Sequence, residues 1–252
     1  MGHFEELSSK LAENKVHIEA EFKNIVKLTT RLFDLQHEIL TMYSWTFHNN
    51  IQATNETTKI LFTACYKNIH AFYASIDMNL QGLFGSSRII MRYIFEYLMI
   101  AKYCSISKDI NLIKNWENGL QISMSSNIFK KINKPETIEL EVFWGTLCKY
   151  THATIYSQQI GVELERNQDE ILPNFVILAM LLEMNYHLVN SHLINNSMKY
   201  YFNDYSDDKT KEKLKELKQE MRDLLKTSKA TMMKDQGKKI IRKYVLKWEV
   251  KE

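Results

Sequence analysis

The chain has 252 residues and a mass of 29.9 kDa, enough to bury roughly 70–75% of its unfolded surface. It holds only 7 Gly and 2 Pro, where an average chain carries about 12% of the two together, so it lacks the turn-makers that β-sandwiches, barrels and Gly-rich phosphate loops require. Charged residues at 25% and hydrophobic ones at 45% exclude a disordered chain, and a net charge of +3 is too small to imply a nucleic-acid or membrane partner by itself.

From Leu11 to Tyr43, Ile18, Phe22, Ile25, Thr29, Leu32, Gln36, Ile39 and Tyr43 recur in steps of four and three, the seam of one long amphipathic helix. Polar Thr29 and Gln36 on that seam argue for packing within a bundle. His48-Asn49-Asn50 breaks the pattern and Thr54-Asn55 offers an N-cap for a second helix, Lys59 to Leu80, with Ile60, Leu61, Ala64, Ile69, Phe72 and Ile76 inward. Gly82 and Gly85 end it, and Ser86 or Ser87 caps a densely apolar third helix, Arg88 to Tyr103.

Asp109 to Ile132, with Gly119 and a Ser-rich stretch, predicts a short helix and a loop. Thr137 caps the next helix, Glu139 to Gln159, which Gly161 ends. Val162 to Leu172 is an irregular connection, and Pro173 starts another helix at a tolerated first-turn position. Phe175 to Tyr201 is apolar almost all round at first, as a central helix should be. Ser206-Asp207-Asp208 caps a last helix with Leu214, Leu217, Met221, Leu224 and Ser228 on one side, stopped at Gly237.

Nine bases against three acids from Lys226 to Glu252 make the chain's end strongly basic. The stretch 238–252 interleaves Tyr244, Leu246 and Trp248 with those charges and reads as either helix or strand, suited to docking on the body or on a protein partner. The expected fold is all-α: an elongated up-down bundle of six to eight helices in one domain, 1–237, with a basic tail, 238–252. The two seams point to a homodimer. Cys65, Cys104 and Cys148 lie in apolar helical stretches and read as buried free thiols of a cytoplasmic protein. The N-terminal residues lack the basic and apolar regions of a secretory leader, and no apolar run reaches the ~18 uninterrupted residues of a membrane span.

Two clusters of polar residues resist a surface explanation. Arg88, Arg92 and Glu96 lie four residues apart on an otherwise apolar helix, where ionic groups must be paired. The alternative is an intrahelical ion pair on a solvent stripe, worth only ~0.3–0.5 kcal/mol. His152 follows the aromatic Phe143-Trp144 segment among small and hydroxyl residues, as an acid, a base or an anion contact near neutral pH, or as a hydrogen-bonded core histidine. No pair of Glu-x-x-His units for a di-iron centre is present, and Glu183 with His187 supplies too few ligands for zinc. No cofactor is expected.

Arg92-Tyr93-Ile94-Phe95-Glu96, followed by Leu147-Cys148-Lys149-Tyr150-Thr151-His152, resembles a family of uncharacterised bacterial all-α proteins similar in outline to the HEPN superfamily. The likeness covers Glu56 to Asn190, with Cys148 where that family has Ser. The resemblance implies a HEPN-like core in which Arg92, Glu96 and His152 converge as catalytic residues, flanked by Arg88, Lys149 and Tyr150 as phosphate contacts. Many HEPN proteins are metal-independent ribonucleases or toxins using Arg-x4–6-His, in stress or phage-defence settings. The one such spacing here, Arg31 to His37, is expected by chance, and Leu32 departs from the polar residue usual after the Arg. RNA or nucleotide binding, with no membrane partner, stands against a second expectation: a non-catalytic interaction module in which these residues form a satisfied internal network.

Overall fold

A computed structural model describes residues 2–49, 56–107, 110–120, 122–130, 135–148, 168–190 and 206–232. Among them every regular element is helical, in keeping with the expected all-α class. The helices are α1 (His3–Glu21), α2 (Lys23–Asn49), α3 (Glu56–Leu80), α4 (Phe84–Ser107) and α5 (Ile110–Glu117). A π-helical segment (Met124–Phe129) follows, then α6 (Pro135–Cys148), α7 (Gln168–Leu188) and α8 (Asp208–Met232). The tail 238–252 lies outside the described residues.

The N-terminal seam is correct in register but belongs to two helices. Ile18, Ile25, Thr29, Leu32, Gln36, Ile39 and Tyr43 are all buried, yet Phe22 leaves helical geometry at φ −105° and ψ 27°. Its N–H still donates to Ile18 O at 2.9 Å, and its carbonyl accepts from Val26 N at 3.1 Å, so the hydrogen-bond ladder bends without ending. Gln36 justifies its polar place on the seam: its Nε2 donates to Leu182 O at 2.5 Å, and its Oε1 accepts from Asn185 Nδ2 at 2.9 Å. These bonds tie α2 to α7 inside an apolar core, where an unpaired amide would be costly.

α3 and α4 form a helical hairpin across residues 81–83. Gly82 turns the chain at φ +81°, a conformation that favours glycine. The predicted cap is displaced, because α4 begins at Phe84 and takes Gly85 into its first turn. Ser87 is instead buried against Ser75, their hydroxyls 2.7 Å apart, and its Oγ also donates to Ser75 O at 3.0 Å. A serine that looks like a cap in sequence here joins two helices.

Two further boundaries move. α6 starts at Pro135, ahead of the expected cap Thr137. α7 starts at Gln168, so the stretch up to Leu172 that reads as irregular is helical from there on, and Pro173 sits inside the helix. Its ring is exposed, and because it lies past the four N-terminal positions whose N–H groups are free in any helix, it forgoes one intrahelical bond, the one to Asp169 O. Over Glu170–Leu188, α7 is long and apolar enough on average to cross a membrane by composition, although Glu183 interrupts the run. In this fold that surface packs on α2, α3 and α4, and Phe175, Leu178, Leu181, Leu182 and Met184 are fully buried. α8 lies along α2, with Leu214, Leu217, Met221 and Leu225 inward and Asp207 as its cap, accepting from Thr210 N at 2.7 Å.

Candidate functional site

The middle of α4 separates the three ionic residues that share its sequence spacing. Arg88 is 3% exposed. Its Nε donates to Asn174 Oδ1 at 2.6 Å and its Nη2 pairs with Glu170, both on α7. Asn174 Nδ2 continues the chain to Asn79 Oδ1 on α3 at 3.1 Å. Arg88 is therefore the hub of an internal polar network joining α3, α4 and α7.

One turn later the chemistry changes. Arg92 Nε donates to Glu96 Oε1 at 2.8 Å, with side chains 25% and 26% exposed. Trp144 of α6 donates its indole N–H to the same Glu96 oxygen at 2.8 Å, and the Arg92 guanidinium carbon stands 5.9 Å from the Trp144 ring centroid, within cation–π range. Phe95 and Phe143 hold α4 and α6 together beneath this pair, edge to face at 5.2 Å. A half-exposed ion pair braced by an indole is neither the solvent stripe nor the sealed network that the spacing alone allows.

The pair lies in the wall of an open cleft of about 470 Å³ between α4, α5, the π-helical segment and α6. Aromatic rings supply much of the remaining wall. Tyr93 and Tyr97 approach to 4.4 Å between centroids, and Tyr97 meets Trp116 of α5 at 5.1 Å. Burial, with help from the hydrogen bond to Tyr97, raises the pKa of the Tyr93 phenol. Ser123 and Met124 close one side. There the Ser123 hydroxyl caps the π-helical segment by accepting from Ser126 N at 3.3 Å, so the Ser-rich stretch read as loop is an ordered rim.

Cys148 ends the described part of α6 and is half-buried. Burial raises its pKa, the Glu96 carboxylate adds to the rise and the Arg92 guanidinium opposes it, so the thiol stays protonated near neutral pH. Lys149, Tyr150 and His152 lie outside the described residues. The structure thus brings Arg92 and Glu96 together and directs Arg88 elsewhere. Arg31 bonds Glu220 of α8 through Nε at 2.7 Å, while His37 stacks on Phe33, so the one Arg-x4–6-His spacing joins two unrelated contacts.

Glu183 and His187 stand 3.4 Å apart on α7, and no larger metal-ligating group occurs among the described residues. Trp144, Trp116, Tyr93 and Tyr97 are the site residues that sequence reading did not assign. Tyr93 and Tyr97 repeat the Arg92–Glu96 spacing one position on, a signal available in the sequence. Trp116 carries none. No protein-family model matches the chain, and neither a curated protein nor a solved structure matches it.

Proposed function

We propose that this is a HEPN-like helical protein whose cleft binds RNA or a nucleotide, with Arg92, Glu96 and His152 as its polar site and Lys149 and Tyr150 beside them. The observation that carries the reading is the cleft itself. It has the size of small-ligand sites, with one guanidinium–carboxylate pair and several aromatic rings in its wall. Arg92 and Glu96 cancel in charge, so attraction for phosphate falls to Lys149 and to protonated His152. Catalysis, where it occurs, is metal-independent acid–base chemistry through His152. The stress or defence setting, the cytoplasmic location and the homodimer belong to the same proposal.

The test is incubation of the purified full chain with total RNA at low salt, beside the Arg92→Ala and His152→Ala forms. The expected result is retention or shortening of RNA by the native protein and its loss in both variants. Indifference of both variants would overturn the reading. A second reading, a non-catalytic interaction module, draws on the internal Arg88–Glu170–Asn174–Asn79 network, which ties α3, α4 and α7 together and does not line the cleft. It predicts no RNA effect in any form.

A further inference from the structure

The described wall of the cleft selects more narrowly than for nucleotides at large. Glu96 Oε1 accepts from Arg92 Nε and from Trp144 Nε1, each at 2.8 Å. Two donors fill the two lone pairs of one carboxylate oxygen, and Oε2 accepts from no described residue. What the site still offers is therefore an acceptor, fixed in place by a half-buried indole and a guanidinium, beside flat aromatic rings.

Three ligand classes compete for such a site. An anionic group is opposed by Glu96. A quaternary or protonated amine suits an aromatic cage, but the Arg92 guanidinium already stands 5.9 Å from the Trp144 ring and repels a second cation there. A neutral planar ring with N–H donors on its edge satisfies both constraints, because it stacks on Tyr97 or Trp116 and donates to Oε2.

Among nucleobases, guanine alone sets two donors, N1–H and the exocyclic amine, side by side with no acceptor between them. Adenine and cytosine place a ring-nitrogen acceptor next to their amine, and uracil flanks its single N–H with two carbonyls, so each brings a lone pair against the carboxylate. We infer that the cleft recognises a guanine base, held at Glu96 Oε2 through its donor edge and stacked on the aromatic wall formed by Tyr97 and Trp116. The inference rests on the nucleotide-binding reading of the same cleft and specifies its base.

The test is a calorimetric titration of the full chain with the 5′-monophosphates of guanosine, inosine, adenosine, cytidine and uridine, and with choline, at one salt concentration. The phosphate is common to the nucleotides and cancels from the comparison. The guanosine nucleotide is expected to bind about tenfold more tightly than those of adenosine, cytidine and uridine, as one charge-assisted hydrogen bond implies. Inosine, which keeps N1–H and lacks the amine, should fall between.

Glu96→Gln should flatten the series while circular dichroism retains the native helical signal. The native series decides the matter even where that variant misfolds. Equal affinity across the bases would overturn guanine recognition and leave nucleotide binding intact. Tighter binding of choline than of any nucleotide would overturn it in favour of a cation cage. Binding of RNA without any nucleotide response would sink this inference alone, and absence of both would sink the proposed function with it.

Discussion

Arg88 and Arg92 sit one helical turn apart and meet different fates, which makes them a matched pair for experiment. Removing the buried Arg88 strands Glu170 and Asn174, so Arg88→Ala is expected to destabilise the protein by about 3–5 kcal/mol. Arg92→Ala removes a half-exposed ion pair and a cation–π contact, together worth about 1 kcal/mol or less, and under the proposed function is expected to abolish RNA retention. Urea unfolding of both variants, set beside the RNA assay, checks the split; equal stability losses would refute it. Asp207 gives a pH prediction. Its bonds from Thr210, backbone first, lower its folded pKa below the ordinary 3.8, so it stabilises the native state above that value and loses this effect as pH falls through the folded pKa. The stability gap between native protein and Asp207→Ala should be full at neutral pH and narrow below 3.8, as thermal melts across that range will show.

At the level of elements, the α3–α4 hairpin depends on its turn. A Cβ at Gly82 would stand 2.9 Å from Asn14 Nδ2, at a φ of +81°, and Asn14 is itself held there by donating to Gln81 O at 3.2 Å. Gly82→Ala is expected to lower stability by about 1–2 kcal/mol through left-handed strain and this close approach, measured as a shift in the urea midpoint. The inward residues of α2 and α3, and Leu214, Leu217 and Met221 of α8, were legible from periodicity because a buried stripe leaves a three-four pattern, whereas the next inward place on α8 falls to Leu225 and not to the expected Leu224. Boundaries were less legible. Ser87 and Pro173 carry strong local signals for a helix start, yet Ser87 answers to Ser75 across the hairpin and Pro173 is taken inside a helix that already runs from Gln168. Such choices are made by tertiary neighbours that no local window contains.

For the whole molecule, the fully buried side chains gather where α7 meets α2, α3 and α4, while α1 buries only Asn14 and Ile18. Native-state hydrogen exchange should therefore be slowest in the inner turns of α3, α4 and α7 and faster in α1 and α5, with uniform protection as the contrary result. The same long-range packing explains what sequence could say of the site. Arg92–Glu96 lies within one turn of one helix and was legible, whereas Trp144 and Trp116 reach it from segments 48 residues on or from a different helix altogether. The π-helical segment on the cleft's rim has a final consequence. Its backbone closes over five residues, with Lys130 N–H reaching Ser125 O, where an α-helix closes over four. Deleting one residue between Met124 and Phe129 would let the segment rewind to ordinary pitch and swing Ser123 and Met124 off the rim. The width of the opening is thus a matter of chain length, adjustable by a single codon without altering Arg92, Glu96, Tyr97 or Trp116.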